Sequence, residues 1–459
     1  MKIGFLPLYI ELYDNVGSAT RQMTQPFYDR LADAFCEKGL EVVRNDFCRL
    51  VDEFKAAVKK FEAEKVDAIV TWHAAYSPSL ESVEALTQTD LPIIVLDTTE
   101  VFDFGPAQSS SAISNCHGIH GVMDMCNLLN RHKKVFAIAA GHYPESDVLD
   151  RAIGYVKAAV AAKSLKGSKV GRIGTSFKGM GDFLISDEKL QSLFGVTAVT
   201  ATKEELEEIK AAVTESEIDS EVANDLNGAK ILSDFNEETH KLTAKNCLAV
   251  RKWIEKNGLN AFTANFLDIN SKCGLDVMPF MEAGKAMARG IGYAGEGDVL
   301  TASLTGALIK GFKDATFVEI FCPDWKGDTL FLSHMGEANY ALGTDKPSLK
   351  EVNFIYTDAK NPIAGYTCYK KGKATFVNLY PTADGYSLIV APVTMEEPTD
   401  TDNFEDKIRG WMRPNMPIAD FLEKISCEGA THHSALVYGA TPKELEFFGK
   451  LLGIKVVIV

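Results

Sequence analysis

Two carboxylates and a few imidazoles in the last third of this chain are set where they could hold an ion or move a proton. Gly429-Ala430-Thr431-His432-His433-Ser434-Ala435-Leu436 spends two of the nine histidines on adjacent positions, ahead of a short apolar run. Neighbours on an extended segment point to opposite sides, so only one of the pair faces any given site. Gly295-Glu296-Gly297-Asp298 holds a carboxylate between glycines. Thr316-Phe317-Val318-Glu319-Ile320-Phe321 holds another inside an apolar, β-prone run, where it faces either solvent or the interior. Leu330-Phe331-Leu332-Ser333-His334 ends an apolar run on an imidazole. Singly, each has an ordinary explanation: a core histidine with its hydrogen bonds satisfied, a glutamate on a solvated face. Together, two Glu and two His form a mixed oxygen and nitrogen donor set that suits Mn2+, Fe2+ or Co2+ and accommodates Zn2+. The same set overlaps with those of metal-dependent hydrolases and of 2-His-1-carboxylate oxygenases. Spacing alone does not bring the four residues to one point.

Gly290-Ile291-Gly292-Tyr293-Ala294-Gly295 matches GxGxxG, but a dinucleotide fingerprint follows a strand and opens a helix. Here the preceding stretch, Val277 to Ala288, reads as helix. The glycines are better explained by close approach of backbone to a buried site.

The elements that must carry these groups follow from hydrophobic periodicity. From Lys2 to about Lys166, short apolar runs (Ile3 to Leu8, Val66 to Trp72, Pro92 to Leu96, Val135 to Ala140) alternate with helical spacing. Met23, Phe27, Leu31 and Phe35 recur on one face of a helix closed by Gly39. Near-continuous apolar strands between helices predict a parallel sheet covered on both sides, with ligands at the carboxyl ends of its strands. A second such unit runs from 167 to 315, with strands at Lys169 to Ile173 and Ala261 to Phe266 and a long helix around Lys241 to Lys256. The acidic stretch Glu204 to Glu221 is expected to be a solvated face. From 316 to 459 the texture shifts to two-period strands and turns such as Ala383-Asp384-Gly385, closing on a helix, Pro442 to Leu452, and a last strand. The expected fold is thus α/β, with two doubly wound parallel-sheet domains of Rossmann or flavodoxin type (1–166 and 167–315) and a C-terminal antiparallel, barrel-like domain (316–459).

At 459 residues, with 48 Lys and Arg against 63 Asp and Glu, the chain is multi-domain and carries a formal charge of −15. That charge disfavours nucleic acid and anionic membranes as partners. No apolar run reaches the ~20 residues needed to span a bilayer and no cleavage signature opens the chain, so a cytoplasmic protein is expected. Nine scattered cysteines without a CxxC pair argue against a disulfide framework and a thiolate zinc site.

Phe262-Thr263-Ala264-Asn265-Phe266, Gly292 through Asp298, Phe317-Val318-Glu319, Ser333-His334-Met335 and Thr431-His432-His433-Ser434 resemble, in order and spacing, the signature segments of the L-arabinose isomerase family. Leu12-Tyr13, Trp72 through Pro78, His120-Gly121, Gly141-His142 and Met180 extend the resemblance over most of the chain. It implies an aldose–ketose isomerase acting on a monosaccharide through an ene-diol. Glu296, Glu319, His334 and His433 would hold a divalent metal, usually Mn2+ with Co2+ or Mg2+ as substitutes. Glu296 and Glu319 would exchange the proton between C1 and C2. His433 would be the ligand and His432 its outward-facing neighbour or support. Substrate contacts would fall on Ile10, Leu12, His117, His120, Met180 and Tyr293. The family further implies a homo-oligomer (trimer, tetramer or hexamer) in which a histidine at the position of His120 reaches a neighbouring subunit's site. The chain departs from the family where substrate-contacting glutamines are replaced by Ile10 and His117, and where a histidine is replaced by Ala74, with His73 one place earlier. Lost hydrogen-bonding partners shift specificity strongly. Another pentose, a deoxyhexose or a modified hexose such as a sulfonated one is therefore open. So is a non-catalytic sugar-binding protein on the same scaffold.

Overall fold

The structure is a computed structural model and describes residues 1–17, 19–398 and 401–459. It divides into two compact units, Met1–Val160 and Ala161–Val459. In the first, β1 (Lys2–Leu8), β2 (Glu41–Arg44), β3 (Ala68–His73), β4 (Ile93–Asp97) and β5 (Phe136–Ala140) form one parallel sheet in the order β2-β1-β3-β4-β5. This is the doubly wound order, in which the direction of winding reverses between β1 and β3 while all strands stay parallel. Every residue of β3 and all but the first of β1 are buried, as a sheet covered on both faces requires. The helices Val51–Ala63, Ser79–Gln88 and Ile119–Arg131 supply Phe54, Phe61, Leu86 and Leu129 to the core against Leu6, Ile69 and Val95. Helix Thr20–Glu37 buries Phe27, Leu31 and Phe35 but leaves Met23 45% exposed, so the expected stripe is one turn shorter.

In the second unit, β6 (Lys169–Ile173), β7 (Thr197–Thr200), the two-residue β8 (Lys230–Ile231), β9 (Ala261–Ala264) and β10 (Gly292–Gly295) come first. All but β8 form a parallel sheet in the order β10-β9-β6-β7, the same winding with one strand fewer. Helix Val299–Phe312 packs on it with nearly every residue buried. At Gly292 a Cβ would lie 2.3 Å from the Gly306 backbone nitrogen, so the close contact of strand and helix requires glycine there. Gly292 and Gly295 of the GxGxxG stretch do therefore serve close approach, on a strand that the sequence reading missed, whereas Gly290 lies ahead of it at φ +98° with nothing within 4 Å of where a Cβ would stand.

Next come β11 (Ala315–Asp324), β12 (Thr329–Ser333), β13 (Ser348–Glu351), β14 (Ile363–Tyr366), β15 (Gly372–Thr382), β16 (Gly385–Glu396), β17 (Gly410–Pro414), β18 (His433–Tyr438) and β19 (Lys455–Ile458). Six of them close an antiparallel barrel in the order β15-β18-β11-β12-β17-β16, with β16 pairing back onto β15. β19 adds in parallel to β16, and β14-β13-β8 form a small separate sheet. The fold is thus the mixed α/β arrangement with parallel sheets and a C-terminal barrel that the sequence leads one to expect.

The solvated face expected from Glu204 to Glu221 needs one correction. Glu221 is buried, bidentate to Arg251 at 2.7 and 3.0 Å and paired with Lys285 at 2.6 Å. Burial alone would raise its pKa, but Arg251 and Lys285 outweigh it and hold the carboxyl at about 2. Among the described residues no helix is long and apolar enough to cross a membrane.

Candidate metal centre

Four pieces of chain meet at one end of the barrel. Glu319 lies mid-strand on β11, where it is the cross-strand partner of Ser333 on β12 and of His433, the first residue of β18. Opposed residues in an antiparallel sheet bring their side chains together. The register of β11 on β12 shifts between Ile320 and Cys322, a bulge of the kind that re-aims side chains beside a site. His334 follows Ser333 directly. Glu296 comes from the turn after β10, at the carboxyl end of the parallel sheet, with φ +62°. That left-handed conformation is uncommon for a residue with a side chain and is a form of strain found at functional positions. Gly297 follows at φ +81°, and a Cβ there would meet the Thr175 carbonyl at 2.4 Å. Asp298 caps helix Val299–Phe312 by accepting from the Thr301 amide.

Glu319 Oε1 lies 3.0 Å from His334 Nε2 and 2.9 Å from His433 Nε2. Glu296 Oε2 lies 3.5 Å from His433 Nε2 and 3.7 Å from His432 Nε2. Donor atoms of Glu296, Glu319, His432 and His433 all fall within 4.8 Å of one another. Three of the four residues expected at a metal are in that group, and His334 joins it through Glu319. His432, expected either to face outward or to support His433, is 40% exposed on its side chain and turns Nε2 toward Glu296.

Each imidazole is backed by a carboxylate on its other nitrogen. His334 Nδ1 meets Glu337 at 2.6 Å, His433 Nδ1 meets Asp298 at 2.9 Å, and His432 Nδ1 meets Asp182 at 2.6 Å. This contact fixes the ring, its tautomer and the direction of the free Nε2. Glu337 also accepts from Tyr293 Oη at 3.0 Å and from the Gly336 amide at 2.9 Å. Tyr293 is therefore a buried prop for Glu337. Phe183 stacks on His433 at 4.7 Å and 10°, and Phe317 meets the edges of His334 and His433 at 5.0 Å each. On β15 the buried Asn378 directs Nδ2 at Thr431 O (2.9 Å), Thr431 Oγ1 (2.9 Å), His433 O (2.7 Å) and Ser434 Oγ (2.9 Å), and accepts the Thr431 amide at 3.1 Å. It pins the backbone that carries both histidines.

The donor set fits a divalent cation. Glu296 Oε2, Glu319 Oε1 and His433 Nε2 are buried, and none is aligned for a hydrogen bond among the described residues. Five carboxylates face three imidazoles, leaving a negative excess even with every ring protonated. Burial would lower His334, but Glu337 and Glu319 outweigh it and raise its pKa to about 10. His433 is likewise lifted, against the cost of burial, by Asp298, Glu296 and Glu319. Burial would raise Glu296 and Glu319, yet His432 and His433 hold Glu296 at about 2, and His334 and His433 hold Glu319 below the usual carboxylate range. A cation bound among these groups would compete with the protons on the rings.

Of the other residues expected at a substrate, Met180 is half-buried on the loop that carries Asp182. The rest lie in the first unit, near the β1/β3 switch. Ile10 precedes the short helix Glu11–Asn15, on which Leu12 is 55% exposed. His117 Nε2 meets Tyr13 Oη at 2.8 Å, and its ring lies 5.8 Å from that of the exposed His120. Sequence reasoning assigned no role to Asp182, Asp298, Glu337 or Asn378. Only Glu337, three residues beyond His334, and Asp298, two beyond Glu296, carried a positional hint.

A six-stranded barrel is set beside a doubly wound sheet, and the carboxylates and carboxylate-backed imidazoles that converge between β10 and the barrel strands are donors that could hold a divalent cation. The L-arabinose isomerase central domain matches residues 187–311, and the L-arabinose isomerase C-terminal domain matches residues 314–455. L-arabinose isomerase 2 of Bacillus licheniformis is 22% identical over 473 residues, spanning 96% of each chain. The L-arabinose isomerase of Oceanobacillus iheyensis is 22% identical over 94% of this chain and 93% of its own, and that of Shouchella clausii is 22% identical over 99% and 93%. The chain belongs to the L-arabinose isomerase family, as a divergent member.

Proposed function

We propose that this protein is a metal-dependent aldose–ketose isomerase whose sugar differs from, or extends beyond, L-arabinose. Family membership supports the isomerase class. The observation that carries the metal-dependent reading is the convergence of Glu296, Glu319, His334 and His433, each histidine backed by a carboxylate. A bound Mn2+, Co2+ or Mg2+ would supply Lewis acidity, polarising the sugar carbonyl and acidifying the neighbouring C–H. Glu296 and Glu319 are the carboxylates positioned to take the proton from one carbon and return it to the next, one as base and one as acid, through an ene-diol. Glu337 and Asp298 hold the imidazoles in one tautomer, and Phe183 and Phe317 keep water from their flanks.

The altered sugar is inferred from Ile10 and His117, which stand where family members carry glutamines. A site built around different donors discriminates by orders of magnitude. In this reading the active form is a homo-oligomer in which the exposed His120 of one copy reaches the site of another, and the enzyme works in the cytoplasm. All nine cysteines are unpaired thiols, in keeping with a reducing compartment.

The test is turnover. Metal-loaded protein is incubated in D2O with a panel of pentoses, deoxyhexoses and modified hexoses and followed by NMR. The expected result is ketose formation from at least one aldose, with deuterium at the exchanging carbon. Full metal occupancy with neither ketose nor deuterium from any sugar would falsify the proposal and leave a non-catalytic sugar-binding protein in its place.

A further inference from the structure

Where β15 turns into β16, a cavity of about 490 Å3 opens between that turn, helix Asp187–Phe194 and the start of β19. Its wall combines the rings of Phe194, Tyr380 and Tyr386 with the carboxylates of Asp384 and Glu428 and the ammonium of Lys455. Phe194 and Tyr386 meet edge to face at 5.0 Å. Tyr386 is 6% exposed, and its hydroxyl is buried without a hydrogen-bond partner among the described residues. A buried hydroxyl left unpaired is unfavourable and calls for an acceptor or a water. Lys455 is already engaged by Glu428 at 3.2 Å and Lys189 Nζ lies 5.7 Å from the centre of the Tyr386 ring, opposite in charge to Asp384, so the wall is close to neutral and has no excess charge to offer a phosphate or an ammonium. Flat apolar rings beside carboxylate acceptors suit a ligand that offers C–H faces and hydroxyl donors together.

We propose that this cavity is a second binding site, for a neutral polyhydroxylated ring such as a monosaccharide, separate from the Glu and His cluster. Its wall leads into that cluster. Glu428 ends helix Ile418–Glu428 and accepts from Tyr380 Oη at 3.4 Å, and four residues later the chain reaches His432. A Cβ on Gly429 would lie 3.8 Å from the Tyr380 ring. An occupant resting on Tyr380 and Glu428 thus bears on the segment carrying both imidazoles, as an effector does. The inference stands without the isomerase reading, because no part of the wall belongs to the cluster.

The experiment uses metal-stripped full-length chain titrated with L-arabinose, D-galactose, L-fucose and D-glucose, followed by calorimetry and saturation-transfer NMR. At least one probe should bind at one equivalent per chain. Tyr386→Phe, which removes a single oxygen, should weaken that binding about three- to tenfold. Leu193→Trp fills the cavity from its half-exposed rim and should abolish binding, while Glu296→Gln should leave it unchanged. If Leu193→Trp disturbs the unfolding midpoint, Tyr386→Phe carries the test alone. The proposal is overturned if no probe binds the stripped chain, if Tyr386→Phe leaves the affinity unaltered, or if Glu296→Gln abolishes binding. None of those results touches the turnover assay of the loaded enzyme, so the two readings fail independently.

Discussion

Asn378→Asp is the most informative change near the site, because it exchanges a single heavy atom, Nδ2 for an oxygen, at nearly constant volume. The Asn378 amide carries two hydrogens, so at any moment it serves two of the four acceptors around Nδ2. Asp replaces that donor with an oxygen aimed at the Thr431 and His433 carbonyls, 2.9 and 2.7 Å away. Two lost hydrogen bonds cost about 2 kcal/mol. Placing a buried charge against carbonyl oxygens brings the total to roughly 3–5 kcal/mol at pH 7. The new carboxyl escapes part of that cost by staying protonated, so its folded pKa lies above its unfolded value. An acid raised on folding favours the native state when protonated. The variant should therefore approach the parent's stability near pH 4 and fall behind as the pH rises to 7. Because the pinned backbone carries His433, Mn2+ affinity should drop by at least about tenfold. Urea unfolding from pH 4 to 8 and Mn2+ titration read by EPR check both effects. Parent-like stability and metal affinity at pH 7 would refute the idea that Asn378 sets the position of the histidine pair.

Glu296→Gln and Glu319→Gln should each lower isomerisation by about 10^2- to 10^4-fold with little change in the unfolding midpoint of the metal-free protein, as measured by ketose assay and differential scanning calorimetry. Chelation should abolish turnover and lower the midpoint. Restoring free Mn2+ at a hundredfold over its Kd should return about 2.7 kcal/mol, seen as a metal-dependent shift in the melting curve. The Glu221–Arg251–Lys285 cluster should contribute to acid stability. Glu221, held at about 2 against an ordinary 4.5, adds stability above pH 4.5 that fades as the pH falls toward 2. The contribution is on the order of 2–3 kcal/mol. Glu221→Gln should flatten that part of the urea-midpoint against pH curve.

The central parallel strands were legible because burial on both faces writes near-continuous apolar runs, as in Ile3 to Leu8 and Val66 to Trp72, whereas the edge strands β2 and β7, with both ends exposed, carry no such run and were not. The hairpin at Ala383-Asp384 was legible from its turn chemistry. Helix Val299–Phe312 was not, because it is buried on nearly every side and so shows no amphipathic stripe. Strand Gly292–Gly295 was hidden by its two glycines, which suit close packing and not strand propensity. The fate of Glu221 depended on Arg251 and Lys285, 30 and 64 residues away, which no local pattern reports. At the site, residue type and order drew attention to Glu296, Glu319, His334 and His433. Asp182 and Asn378 went unnoticed because their partners at His432 and Thr431 lie 250 and 53 residues distant.

The left-handed turn bearing Glu296 belongs to the wound sheet, while Glu319, His334 and His433 are staves of the barrel. A chimera joined near residue 313 would hand each parent an incomplete set of donors, however well both halves fold. The chemistry is thus inherited only when that seam is inherited intact, and new specificities should be sought by exchanging loops around the seam and not by swapping the modules on either side.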